Sequence, residues 1–249
     1  SVGEPYYNSI VIPIMIPGIL IMGIGPILSW NKEDKLKILT KILPSILLTI
    51  IITIVFLLIY QSYNFLGIIG SLLAFWIISS NLVILLQKIG GIYNKKNFIK
   101  YSIPDCSFGM IVAHFGIALL ILGITGSSVW QKEKIVRMKL NNEIKIQKYN
   151  VEFKQINEIT GPNYVAIRGS FLVKDENKNL VATLRPENRF YPITNNYTTE
   201  ASINTNLVRD LYIALGNGNI NDGWVVRVYY NPLVMWIWIG SFLIFIGGI

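Results

Sequence analysis

Long apolar runs constrain this chain more than any other feature of its sequence. Four of them, at roughly residues 9–30, 43–60, 65–87 and 107–129, are predicted to be transmembrane helices. About 20 mainly apolar residues are needed to cross a hydrocarbon core of about 30 Å. A fifth run, residues 233–249, is shorter than a complete span, so we predict the truncated start of a further helix. Hydrophobic residues make up 52% of the chain and charged residues 14%, which disfavours a soluble protein.

The first apolar run is interrupted by helix-breaking residues. It contains Pro13, Pro17 and Pro26 together with three glycines. Proline has no backbone N–H to donate inside a helix, and its ring clashes with the preceding turn. We therefore predict a kinked helix whose freed carbonyls are satisfied by neighbouring helices.

Lysines are concentrated in two connections between the runs. The first connection contains Lys32, Lys35, Lys37 and Lys41, and the third contains Lys88, Lys95, Lys96 and Lys100. Positive residues mark the cytoplasmic side of a membrane protein, so the segment after the fourth run is predicted to lie outside the cytoplasm. This topology also explains the net charge of +8 better than nucleic-acid binding does.

Residues 130–232 have a different pattern from the apolar runs. Val136 and Met138 alternate with charged residues, and Trp224, Val226 and Val228 repeat the alternation near the end of the segment. Period-two alternation is typical of half-buried strands. We predict turns at Asn141-Asn142, 175–179 and Asn217-Gly218.

The predicted fold class is a polytopic α-helical membrane protein, with about five transmembrane helices and an inserted, mainly β domain on the periplasmic side. Residues 1–129 form the four-span helix bundle, residues 130–232 the β domain, and residues 233–249 the start of the last helix. Because the chain begins with Ser1 and its last apolar run stops short, we expect both ends to be cuts in a longer protein.

His114 is the sole histidine, and it lies inside the fourth run. An ionisable residue within a membrane span is costly and usually functional. No Asp, Glu, Lys or Arg occurs between Asp105 and Lys132, which favours a neutral imidazole with a nitrogen free for metal binding. Haem iron commonly takes such a ligand. The alternative is a histidine that forms a hydrogen bond with a neighbouring helix.

Helical periodicity gives the fourth run two different faces. At about 100° per residue, His114 shares one face with Ala118 and Thr125, whereas Gly109, Gly116 and Gly123 lie on the opposite face. Glycines at this spacing favour close packing against another helix. We therefore expect one face to contact protein and the other to present His114.

Further motifs follow one another along nearly the whole chain. They are Met22-Gly23-Ile24-Gly25-Pro26, His114-Phe115-Gly116, Gly161-Pro162-Asn163-Tyr164, Leu184-Arg185-Pro186-Glu187-Asn188-Arg189-Phe190-Tyr191, Thr199-Glu200-Ala201-Ser202-Ile203 and Arg209-Asp210-Leu211-Tyr212. In order and spacing these motifs resemble the CcmF family of cytochrome c maturation proteins, in its C-terminal portion.

The resemblance implies a component of a haem lyase that attaches haem covalently to CxxCH apocytochromes. It implies a membrane-held haem b that keeps the delivered haem reduced, with His114 as one axial ligand to the iron. The second axial ligand is expected outside this sequence, because no other histidine is present. No catalytic residue is assigned, and the fragment alone is expected to be inactive.

The implied partners are the missing N-terminal half of the same protein, a haem chaperone, a thiol-handling maturation subunit, apocytochrome c and the lipid bilayer. No nucleic acid is expected. The β domain is expected to contact a partner through seven polar residues, for which a structural network of turns and ion pairs is the alternative. They are Arg185, Glu187, Arg189, Tyr191, Glu200, Arg209 and Asp210.

Two other functions stay open at the level of the sequence. One is a non-catalytic membrane scaffold that docks maturation partners, and the other is a haem transporter, which the broken first helix favours. The implied location is the bacterial inner membrane, with the β domain in the periplasm. The mitochondrial inner membrane is the alternative.

Overall fold

The computed structural model describes residue 3 and residues 6–27, 35–61, 63–93 and 105–249. The chain forms two compact units, Ser1–Thr125 with Trp236–Ile249, and Gly126–Met235. Of the eight lysines in the two predicted connections, Lys32, Lys95, Lys96 and Lys100 lie outside the described residues. The other four lie in helices, Lys35, Lys37 and Lys41 in Lys35–Tyr60 and Lys88 in Phe65–Tyr93. The sidedness predicted from those lysines therefore stays a prediction.

The first unit is helical. Its helices are α1 (Ile12–Ile24), α2 (Lys35–Tyr60), α3 (Phe65–Tyr93), α4 (Asp105–Val129), whose last turn enters the second unit, and α5 (Val234–Gly247), which begins in the second unit. Four helical segments, Ser9–Ile27, Ile38–Tyr60, Phe65–Leu86 and Phe108–Val129, are long and apolar enough to cross a membrane. Helix α5 is apolar but shorter. The predicted helical part of the fold class is confirmed.

The first apolar run changes helix type along its length. A π-helical turn, Tyr7–Val11, precedes α1, and a 3-10 turn, Gly25–Ile27, follows it. Pro17 lies inside α1, where it cannot donate to the carbonyl one turn earlier. On the facing helix, Trp76 donates from Nε1 to the carbonyl oxygen of Leu20 at 3.1 Å, so a neighbouring helix does supply this run with a hydrogen bond.

Helices α2 and α3 pack through small polar side chains. Thr49 donates from Oγ1 to the carbonyl oxygen of Ser45 at 2.7 Å and lies 3.5 Å from that of Phe75 on α3. Thr53 and Ser71 likewise donate within their own helices, to Thr49 at 2.7 Å and Gly67 at 2.7 Å. Small residues allow membrane helices to approach closely where no hydrophobic force between them is available.

Helices α4 and α5 pack with their backbones in contact. A Cβ added to Gly116 would lie 2.6 Å from the carbonyl oxygen of Gly240, and one added to Gly240 would lie 2.5 Å from that of Gly116. Gly109 and Gly247, each seven residues from the first pair, form a second such contact. A Cβ added to Gly109 would lie 2.7 Å from the carbonyl oxygen of Gly247. The close packing predicted for the glycine face is therefore present at Gly109 and Gly116.

The second unit is a sandwich of two antiparallel sheets. Its strands are β1 (Lys132–Met138), β2 (Glu143–Ile146), β3 (Tyr149–Thr160), β4 (Val165–Lys174), β5 (Leu180–Leu184), β6 (Glu187–Tyr191), β7 (Asn196–Glu200), β8 (Ser202–Thr205), β9 (Arg209–Asn219) and β10 (Gly223–Pro232). One sheet has the order β1-β10-β9-β8. The other has the order β2-β3-β4-β6-β7, with β5 paired beside β6 along β4.

The inner faces of the two sheets form one apolar core. Phe153 and Phe171 stack with ring centroids 4.5 Å apart, and Trp224 meets Phe153 edge-on at 5.8 Å. Val226 and Val228 are fully buried beside them, as the period-two pattern predicts. The mainly β domain of the predicted fold class is confirmed.

One predicted turn is wrong. Asn217-Gly218 lies inside β9, whose pairing with β10 continues to Asn219. The chain reverses at residues 220–222, where Asp222 donates its backbone N–H to Oδ1 of Asn219 at 2.7 Å. The turn ends at Gly223, whose φ of +85° is a conformation that glycine adopts at low cost.

Candidate functional site

His114 lies on the face of α4 that contacts α3. Ala118, one turn further along α4, is fully buried in a cluster with Trp76 and Ile77 of α3. Ile117 and Ile121 pack against the same cluster. The histidine ring itself is partly exposed, so the side chain is at the margin of this packed face.

The two nitrogens of the His114 ring have different surroundings. Nδ1 is buried and has no hydrogen-bond partner among the described residues, whereas Nε2 is not among the buried unpaired atoms. A buried polar atom without a partner is costly, so it usually marks a functional requirement or a missing ligand. No group of three or more His, Cys, Asp or Glu side chains able to hold a metal occurs in the described part of the chain. His114 can therefore contribute one ligand, not a complete metal site.

The second candidate region is a charged cluster on β4, β6 and β7. The carboxylate of Glu187 accepts from Nε of Arg168 at 2.7 Å and from Nε of Arg189 at 2.8 Å. Arg189 also lies 3.7 Å from Glu200. Burial alone would raise the pKa of Glu187, but the hydrogen bonds from Arg189 and Arg168 outweigh it and hold that pKa below its ordinary value.

Aromatic rings complete this cluster. The guanidinium carbon of Arg189 lies 4.5 Å from the centroid of the Tyr164 ring, a cation–π contact. Tyr164 in turn lies beside Tyr191, with ring centroids 5.6 Å apart. Two motifs far apart in the chain, one ending at Tyr164 and the other at Tyr191, therefore meet in space.

Arg209 occupies a separate buried position. Only 1% of it is exposed, and Nε donates to the hydroxyl of Tyr149 at 3.2 Å. Nη1 donates to the carbonyl oxygen and to Oδ1 of Asn204, at 2.6 and 2.7 Å. Neighbouring Asp210 is partly buried, and that burial raises the pKa of its carboxyl group.

The seven predicted partner residues thus fall into distinct places. Glu187, Arg189, Tyr191 and Glu200 belong to the charged cluster, Arg209 and Asp210 lie apart from it, and Arg185 is exposed. Sequence reasoning missed Arg168 and Tyr149, which complete the two networks. It also missed Asn81, although an amide inside an apolar span is itself a signal.

The helices and the sandwich together define a class, that of membrane proteins that carry an antiparallel β-sandwich domain. Residues 129–232 match the family model described as the CcmF C-terminal beta-sandwich. A solved structure, Cytochrome c Heme Lyase CcmF, superposes with a TM-score of 0.74 at 19% identity, over 98% of this chain and 40% of that chain. That likeness confirms the fold.

Sequence relatives extend the match beyond the sandwich. The cytochrome c-type biogenesis protein CcmF of Escherichia coli is 32% identical over 253 residues, covering 100% of this chain and 37% of that protein. CcmF of Pseudomonas aeruginosa is 30% identical, with the same coverages of 100% and 37%. The chain belongs to the CcmF family. It spans little more than a third of the length of these relatives.

Proposed function

We propose that this chain is part of a haem lyase of cytochrome c maturation and that His114 provides one axial ligand to a b-type haem held in the membrane. The proposal rests on a lone histidine in a predicted membrane span, one of whose ring nitrogens is buried and unpaired. Family membership supports the general role, and the chemistry of the donor supports the ligand.

The chemistry of the His114 side chain fits this role. An imidazole that ligates a metal through one nitrogen normally donates the N–H of its other nitrogen to a protein acceptor. The span carries no charged residue between Asp105 and Lys132, so no charged partner on this helix stabilises an imidazolium, and the neutral ring favours metal binding. Bound haem would supply one-electron chemistry, and the protein sets its ligand, its surroundings and its access to solvent. One histidine leaves the second axial ligand to a part of the protein outside these 249 residues.

The β domain is assigned to the periplasmic side of the bacterial inner membrane, where it would contact the apocytochrome, a haem chaperone or a thiol-handling subunit. Arg185 and Glu200 are the exposed members of the predicted set, so they are the ones assigned to such a contact. Glu187 and Arg209, which are 6% and 1% exposed, are assigned to holding the fold. Keeping the delivered haem reduced while thioether bonds form is the proposed use of the membrane haem.

The test uses the full-length parent protein, purified from membranes. We expect His114→Ala to remove the b-type signal from the reduced-minus-oxidised absorption spectrum. Thr125→Ala, on the same helix face, is the matched control and should retain the signal. Detergent gel filtration checks that both variants are folded. In His114→Gly, added imidazole should restore the signal.

A retained spectrum in folded His114→Ala would remove the ligand assignment. The scaffold function would then be favoured, because it requires the folded helices and the β domain but no bound cofactor. Unchanged cytochrome c assembly in the same variant would point to the same conclusion.

A further inference from the structure

Helices α3 and α4 are antiparallel and in register. A Cβ added to Gly70 of α3 would lie 2.7 Å from Cγ2 of Thr125 on α4. Ile77 and Ala118, each seven residues away in opposite directions, are both 0% exposed and share one cluster. Seven residues are close to two helical turns. The faces of α3 and α4 that meet at Gly70 and Thr125 therefore also meet at Ile77 and Ala118.

One further turn along each helix, two polar residues lie opposite each other, Asn81 on α3 and His114 on α4. Asn81 follows Ile77 by four residues, and His114 precedes Ala118 by four residues. Because residues four apart share a helix face, Asn81 and His114 lie on the two facing surfaces. Asn81 is only 5% exposed.

Each of these residues carries a buried atom without a partner. The atoms are Oδ1 of Asn81 and Nδ1 of His114. Nδ2 of Asn81 donates to the carbonyl oxygen of Ile77 at 2.9 Å, which leaves Oδ1 as the end of the amide available to another residue. An amide oxygen can only accept, and Nδ1 of a neutral imidazole can carry the proton to be donated.

We propose that Asn81 is a positioning residue, whose Oδ1 accepts a hydrogen bond from the Nδ1–H of His114. This inference rests on the proposed haem ligation. The hydrogen bond is not formed in this structure and requires a side-chain rotation, which the partly exposed ring permits. It selects the tautomer in which Nε2 has a lone pair for iron and fixes the plane of the ring.

An amide differs from the carboxylate often found in this position. A carboxylate would draw the Nδ1 proton strongly and make the imidazole a more electron-donating ligand. Asn81 provides a neutral acceptor, which avoids placing a charge in the membrane. Such an acceptor would hold the imidazole without strengthening its electron donation, which would favour the reduced state of a bound haem iron.

The first test compares Asn81→Leu with Ser80→Ala in the full-length parent protein. Ser80 is also buried with an unpaired hydroxyl and is therefore a matched control. We expect Asn81→Leu to weaken haem retention by about 10- to 100-fold, the usual effect of removing a partner of a metal-bound histidine. Haem content per protein and the midpoint potential of the haem are the readouts. Ser80→Ala should leave both unchanged.

The second test works even where Asn81→Leu does not fold. In His114→Gly, imidazole can donate an N–H to Asn81, whereas 1-methylimidazole cannot. We expect imidazole to bind the haem protein about tenfold more tightly than 1-methylimidazole. Where the double variant with Asn81→Leu is stable, this preference should disappear.

The outcomes separate the two proposals. Loss of the haem signal in His114→Ala, with wild-type haem content and potential in folded Asn81→Leu, would overturn the role of Asn81 and keep the ligation. Equal affinities of the two imidazoles in His114→Gly would do the same. A full haem signal in His114→Ala would overturn both proposals.

Discussion

Two buried charges of the sandwich and the histidine of the helical unit have opposite surroundings. In the sandwich, Glu187 accepts from two arginines, and Arg209 donates to a hydroxyl, an amide and a carbonyl. In the described part of the helical unit, the buried Nδ1 of His114 has no partner. Burying a charge requires several partners, whereas a histidine that ligates a metal needs one nitrogen for the metal and only a single acceptor for the N–H of the other. The contrast suggests that the charges of the sandwich serve its architecture and that the histidine serves function.

The largest effect is expected at the contact between α4 and α5. Gly116→Leu should destabilise the helical unit by more than about 3 kcal/mol, because the added side chain would meet backbone that cannot yield. The matched control is Gly18→Leu, since nothing lies within 4 Å of a Cβ added at Gly18. Thermal aggregation of the detergent-solubilised protein gives the order of stability. Equal behaviour of the two variants would mean that the close contact is not required.

The second effect concerns the buried arginine of the sandwich. Arg209→Leu should lower the local stability of β9 by about 2 kcal/mol, because the buried hydroxyl of Tyr149 and the partly buried Asn204 lose their partner. Hydrogen exchange of the β9 amides measures this loss. Exposed Arg185→Leu should change exchange by less than about 0.5 kcal/mol. Similar exchange in both variants would show that Arg209 is not essential to the fold.

The third effect is a pH dependence. Because the folded pKa of Glu187 is lowered, its contribution is complete above its unfolded pKa and is lost as the pH falls through the folded value. The sandwich should therefore weaken below about pH 4.5. Glu187→Gln should lose about 1–2 kcal/mol at neutral pH and show a shallower acid dependence. The melting temperature, measured as a function of pH, distinguishes the wild-type protein from Glu187→Gln. Parallel curves for the two proteins would contradict the pairing of Glu187 with its arginines.

The smallest effect is expected at an exposed ion pair. Lys145 and Glu176 lie 3.4 Å apart, with side chains 62% and 63% exposed. Solvent screens such a pair, so Lys145→Ala should change stability by less than about 0.5 kcal/mol. A loss comparable to that of Arg209→Leu, measured in the same exchange experiment, would weaken the distinction between buried and exposed charges.

The features that can be predicted from the sequence are those whose pattern of apolar residues repeats within a few positions. The apolar spans and the alternation around Trp224, Val226 and Val228 depend on neighbouring residues, so they can be recognised locally. The turn predicted at Asn217-Gly218 is wrong because pairing with β10 overrides the local preference of those residues.

The networks of the candidate regions could not be predicted in this way. Tyr149 and Arg209 are 60 residues apart, and their contact depends on how the two sheets pack. The alignment of Asn81 with His114 likewise depends on the register of α3 against α4, in which Gly70 lies opposite Thr125. Composition and periodicity carry no information on such a register.

The glycine contact of α4 has a consequence for electron transfer. Gly116 lies two residues after His114, and its backbone abuts that of Gly240. A helix held this closely by its neighbour has little freedom to slide or rotate when the charge of a bound metal changes. For the proposed ligand, an imidazole fixed in both oxidation states would lower the reorganisation energy of each electron transferred, as preorganised groups do in other reactions.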